Sequence, residues 1–135
     1  MVIRETSTEI DLSGSPTELR TVGRALTAFG PGDHCRFEAD THADPAPYIR
    51  VLAAFEAEAS GGPVRVSVAG QVLFASGSPD MFARFASFFE FSDADRSGTH
   101  THHEWWDDNE YIAADSRPLV IRRAKPGAAA DRCRM

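Results

Sequence analysis

The residues best suited to chemistry lie between Thr99 and Tyr111, a run reading Thr-His-Thr-His-His-Glu-Trp-Trp-Asp-Asp-Asn-Glu-Tyr. If Thr99 to Trp106 is a strand, its alternation sends His100, His102 and Glu104 to one face at steps of about 6.5–7 Å. Two imidazoles and a carboxylate so arranged could hold a divalent transition metal such as zinc, iron or nickel, with Asp107 or His42 completing the shell. A solvent-facing strand often carries the same residue types, and neither a Cys/His knuckle nor a His-Glu-x-x-His helix accompanies them. On the opposite face, Thr101, His103 and Trp105 would point toward the helices, where a His beneath aromatics is more often a satisfied core residue than a ligand.

Trp105, Trp106 and Tyr111 carry a second signal, standing among Asp107, Asp108 and Glu110. Aromatic anchors ringed by carboxylates suit an interface with a basic protein, because the rings supply hot spots and the acids steer association. The competing reading puts one Trp in the core and leaves the acids as a solvated turn. Acid–base catalysis by His and Glu has less support: no Ser or Cys sits in a nucleophile elbow, and Cys35 has no motif around it.

The totals narrow the classes. A net charge of −6 argues against general nucleic-acid binding, which needs clustered Lys and Arg. No apolar run approaches the roughly 18–20 residues that span a bilayer, and Met1 to Thr6 lacks signal-peptide character, so cytoplasm is the expectation. Cys35 and Cys133 are expected as two free thiols.

The elements that must position these residues come in two copies. Ser13-Gly14-Ser15-Pro16 recurs as Ser76-Gly77-Ser78-Pro79. Each copy is followed by an apolar stripe at helical spacing (Leu19, Val22, Leu26, Phe29; then Phe82, Phe85, Phe89), a Gly-containing turn, and a His-x-x-x-Glu (His34 to Glu38; His100 to Glu104). Ser15 fits an N-cap with Pro16 at the first helical position and Glu18 completing a capping box; Gly30-Pro31-Gly32 stops that helix. Ser78, Pro79 and Asp80 open the second helix. Strands are expected over Val2 to Leu12, His34 to Ala39, Tyr48 to Glu58, Val64 to Val68, Gln71 to Ala75, Thr99 to Trp106 and Leu119 to Ile121.

The fold expectation is a single α+β domain over residues 1–124, a two-layer sandwich with a mostly antiparallel sheet of about seven strands and two helices on one face. It is built from a tandem strand–helix–strand–strand duplication with units 1–59 and 63–124, and a frayed tail over 125–135. Two smaller sheets meeting edge to edge are the alternative.

The hairpin, Gly77-Ser78-Pro79, the helix, Gly98-Thr99-His100-Thr101-His102-His103-Glu104 and Asp115-Ser116-Arg117-Pro118-Leu119-Val120-Ile121 together resemble a family of small immunity proteins of bacterial polymorphic toxin systems, the one numbered thirty-two. The resemblance covers residues 64–122, and Trp105 to Asp115 is longer than the turns of that pattern. It implies a non-enzymatic protein that binds and blocks a cognate toxin. The expected function is therefore toxin neutralisation through Trp105, Trp106, Asp107, Asp108, Glu110 and Tyr111, with no cofactor. The alternative is a metal-binding protein or metalloenzyme using His100, His102 and Glu104, and a homodimer formed through sheet edges or the Trp pair is a third reading.

Overall fold

A computed structural model describes residues 1–106 and 111–124. Asp107, Asp108, Glu110, the expected tail and Cys133 therefore lie outside the described residues. The two helices start where their caps dictate. Ser15 is extended (φ −69°, ψ 157°) and accepts from the Glu18 amide, while the Glu18 carboxylate accepts from the Ser15 amide, opening α1 (Pro16–Thr27). Ser78 has nearly the same dihedrals (φ −69°, ψ 156°) and accepts from the Met81 amide, opening α2 (Pro79–Ala86), which tightens into a 3-10 turn over Ser87–Phe89. Leu19, Val22 and Leu26 of α1 and Phe82 and Phe85 of α2 are buried, each contributing roughly 1.5–3 kcal/mol. The helices touch at Gly23, where a Cβ would stand 3.1 Å from the Phe89 Cβ and 3.3 Å from the Ala86 carbonyl oxygen.

The described residues form nine strands: β1 (Val2–Glu5), β2 (Ile10–Gly14), β3 (His34–Glu38), β4 (Arg50–Val51), β5 (Ala54–Ala59), β6 (Arg65–Ala69), β7 (Val72–Gly77), β8 (His100–His103) and β9 (Leu119–Arg123). They make a five-stranded sheet, β4-β1-β2-β9-β8, and a four-stranded sheet, β3-β5-β7-β6. The class is α+β as expected, but the single sheet of about seven strands is corrected to two mixed sheets. Two expected strands divide. Val2 to Leu12 is a hairpin, closed where the Thr6 amide donates to the Glu9 carbonyl and the Thr6 hydroxyl accepts from the Glu9 amide. Tyr48 to Glu58 changes sheets midway: the Leu52 amide donates to Ile3 of β1, and the next amide, Ala53, donates to Gln71 beside β7.

The two sheets repeat one pairing pattern. In each, a hairpin (β1–β2 or β6–β7) runs parallel to a strand from the other half of the chain (β9 or β5), whose far edge holds an antiparallel strand (β8 or β3). Registers match as well. Arg123 pairs with Gly14 as Ala59 pairs with Gly77, and His100 pairs with Arg122 as His34 pairs with Glu58. Backbone bonds beyond the ladders recur too: Arg123 to Thr99 and Ala124 to Gly14 in one half, Ala59 to Asp33 and Ser60 to Gly77 in the other. One apolar core joins both sheets, with Ile3, Leu12, Leu119 and Ile121 from the larger, Phe55, Val66, Leu73 and Ala75 from the smaller, and the helix faces between them. Among the described residues no helix is long and apolar enough to cross a membrane.

Glu5 closes the seam between the sheets. Its carboxylate accepts from Arg50 Nε at 2.6 Å and from Arg117 Nη1; the Arg117 amide donates to Val66 of β6 and its other Nη to the Thr6 carbonyl. Burial disfavours the charged carboxylate, but the Arg117 and Arg50 guanidiniums outweigh it and hold the Glu5 pKa below the usual carboxylate range. This stability is present above the ordinary Glu pKa and is lost as pH falls through the depressed one. Glu5→Gln should cost about 2 kcal/mol in urea unfolding at pH 7, since the two guanidiniums keep partial solvent contact. The cost should shrink toward pH 3.

Candidate functional site

Strand alternation sends two rows of side chains to the outer face of the five-stranded sheet. One row crosses it as Val2, Ser13, Arg122 and His100, and the next as Val51, Arg4, Asp11, Val120 and His102. The row between them, Ile3, Leu12, Ile121 and Thr101, faces inward, as does His103 in the row after His102. The histidine pattern is thus placed as its alternation requires, with His100 and His102 outward and exposed, ring centroids 4.9 Å apart and tilted 74°. His100 Nδ1 lies 3.0 Å from the Gly98 carbonyl, which leaves Nε2 outward.

Glu104 does not join them in the strand. β8 ends at His103 because the next hydrogen-bonded pair would need the Arg117 amide, which donates to the Val66 carbonyl of the other sheet instead. Glu104 instead lines a shallow groove with His102, Thr8, Glu9, Pro118 and Leu119. Among the described residues no group of three His, Cys, Asp or Glu side chains is arranged to hold a metal ion. His42 lies in the loop before β4, bonded through its amide to Asp40, and Asp107 is outside the described residues.

His103 is fully buried, its ring set edge-on to Phe85 at 4.6 Å and Phe88 at 5.3 Å. It is a core residue, though not a satisfied one: neither ring nitrogen has a hydrogen-bond partner among the described residues. Burial pushes its pKa down to about 4. The position corresponding in register is Phe37, stacked on Phe55 in the other sheet.

Trp105 is 41% exposed and Trp106 52% exposed, so neither is in the core. Trp106 meets Tyr111 edge-on at 6.3 Å, and the Arg84 guanidinium lies 5.5 Å from the Tyr111 ring centre. These rings form an aromatic ledge where the chain leaves β8.

Sequence reasoning missed a cleft of about 640 Å³ on the same sheet face, lined among others by Arg4, Asp11, Ser13, Tyr48, Arg122 and Arg123. Asp11 is nearly buried and accepts from Arg122 Nε at 2.9 Å and the Tyr48 hydroxyl at 3.4 Å. Burial and the Asp11 carboxylate raise the Tyr48 pKa, so its phenol remains a donor. The outward parity of Arg4 and Arg122 was available in the sequence; their juxtaposition depends on which strands pair. Cys35 is a half-buried free thiol whose pKa burial raises, leaving it protonated and a poor nucleophile.

No family model matches the chain, and no curated protein or solved structure matches it.

His103 supplies a direct test. Replacing it with Phe, the residue at the corresponding position, removes two unpartnered buried nitrogens and should stabilise the fold by about 1–2 kcal/mol at pH 7. A folded pKa near 4 against an unfolded value near 6.5 means the unfolded chain takes up the proton first, so stability falls as pH drops below about 6.5. Between pH 7 and 5 the wild type should lose on the order of 2 kcal/mol more than His103→Phe in denaturant unfolding.

Proposed function

We propose that this is a non-catalytic binding protein of the immunity type, which blocks a basic protein toxin through the aromatic ledge beyond β8. The observation that carries this reading is the exposure of two consecutive tryptophans beside Tyr111, where Ile49 is the only other exposed large apolar side chain among the described residues. Exposed Trp and Tyr supply large contact areas at low entropic cost. Asp107, Asp108 and Glu110 lie between Trp106 and Tyr111 in the sequence, and a net charge of −6 favours encounter with a cation-rich partner. We also infer that the chain is two copies of one unit whose terminal strands have changed places; the shared register and recurring cap geometry support this.

Co-expression with the protein encoded beside its gene tests the reading. Wild type should restore growth of cells making that protein, and Trp105→Ala/Trp106→Ala should not. Each substitution should change stability by no more than about 0.5 kcal/mol, because both rings are surface groups. Equal rescue by the double variant would remove this surface from consideration.

A second reading, metal binding through His100 and His102, is favoured by their ring separation of 4.9 Å. Two imidazoles on one tetrahedral ion stand about 5 Å apart. Elemental analysis of untagged protein separates the two: near-stoichiometric metal lost in His102→Ala would favour the metal site.

A further inference from the structure

The cleft over the five-stranded sheet lies apart from the aromatic ledge, and its chemistry is of the opposite sign. Arg4, Arg122 and Arg123 line it, and the one carboxylate at its floor, Asp11, is engaged by Arg122 and Tyr48. Arg4 has no carboxylate partner among the described residues; its Nε donates to the Asp44 carbonyl at 3.0 Å. Arg123 likewise has none, bonding the Asp93 and Ala124 carbonyls at 3.5 and 3.3 Å, and its Nε is buried without a partner. Guanidiniums gathered in a concave site without matching carboxylates are unusual on a chain of net charge −6. They are the groups that bind oxyanions through paired N–H donors.

The corresponding face of the four-stranded sheet sharpens the argument. By register, Ser67 stands where Arg4 stands, Phe74 where Asp11 stands and Glu58 where Arg122 stands. That face instead carries an ion-paired set in which carboxylates outnumber the arginine: Arg36 bonds Glu56 at 2.6 Å and Glu38 at 2.9 Å, and Glu56 also bonds His34. One backbone pattern thus presents an ion-paired, carboxylate-rich surface on one sheet and a cationic cleft on the other, so the fold does not require the arginines at these positions. A volume of about 640 Å³ suits an organic molecule rather than a bare ion.

We propose that this cleft binds a small oxyanion-bearing ligand, a phosphate ester or carboxylate, with Arg4 and Arg122 clamping the anion while Asp11 and Tyr48 fix the Arg122 guanidinium. Arg4→Gln is the informative variant, because it breaks no ion pair and leaves Asp11 engaged. Amide spectra of 15N-labelled protein would be recorded during titration with inorganic phosphate and, separately, sodium acetate, at constant ionic strength set by chloride.

The expected result is saturable shifts confined to residues around Arg4, Ser13, Gly98 and Arg122, with affinity at least about fivefold weaker in Arg4→Gln and unchanged in Arg36→Gln on the other sheet. Saturation by phosphate assigns a phosphate ester; saturation by acetate alone assigns a carboxylate. Shifts that never saturate, that spread over the surface, or that weaken equally in Arg36→Gln would overturn the proposal.

Discussion

The fold depends on two parallel pairings that join the two halves of the chain, β9 with β2 and β5 with β7. Neither half completes a sheet of its own: the β1–β2 hairpin is extended by β9, and the β6–β7 hairpin by β5. Both pairings join residues far apart in sequence, such as Ile10 with Leu119, so their loop-closure cost must be met by the shared core. The tightly packed Gly23 contact and the Glu5 carboxylate between Arg50 and Arg117 belong to the same constraint, since each joins elements from both halves. Loss of β5 or β9 would expose the inner faces of both sheets.

The pairing pattern that the two sheets share leaves their outer faces free to differ. The inner positions are mostly apolar in both sheets, and His103 occupies an aromatic slot there with two nitrogens that have no partner among the described residues. The outer positions diverge into an ion-paired network on one sheet and an arginine-lined cleft on the other. The aromatic ledge adds a third surface, on the segment that follows β8. Binding groups thus sit on loops and outward strand positions of a framework fixed by buried apolar contacts.

What the sequence revealed divides by range. The helix starts were legible because their signals are local: Ser15 with Glu18, and Ser78 with Pro79, act within one turn. The outward placement of His100 and His102 followed from strand period, as did the inward placement of His103. The hairpin at Thr6 to Glu9 was hidden because β-favouring Thr side chains close it in place of Gly or Pro. The end of β8 was hidden because it is fixed by Arg117, far along the chain, whose amide turns to Val66 of the other sheet. Two sheets in place of one, and the cleft that Arg4, Asp11 and Arg122 share, arise from the parallel pairings, which no short window contains.

The central claim, that the tryptophans are a contact surface, has a spectroscopic test built into the chain. Trp105 and Trp106 are its only two tryptophans, so its indole emission reports this ledge alone. Acrylamide quenching of that emission would be measured on free protein and on the complex with the protein encoded beside its gene. The account predicts ready quenching in the free protein, with a blue shift and strong protection in the complex. Emission that is already shielded in the free protein, or quenching unchanged in a formed complex, would contradict it.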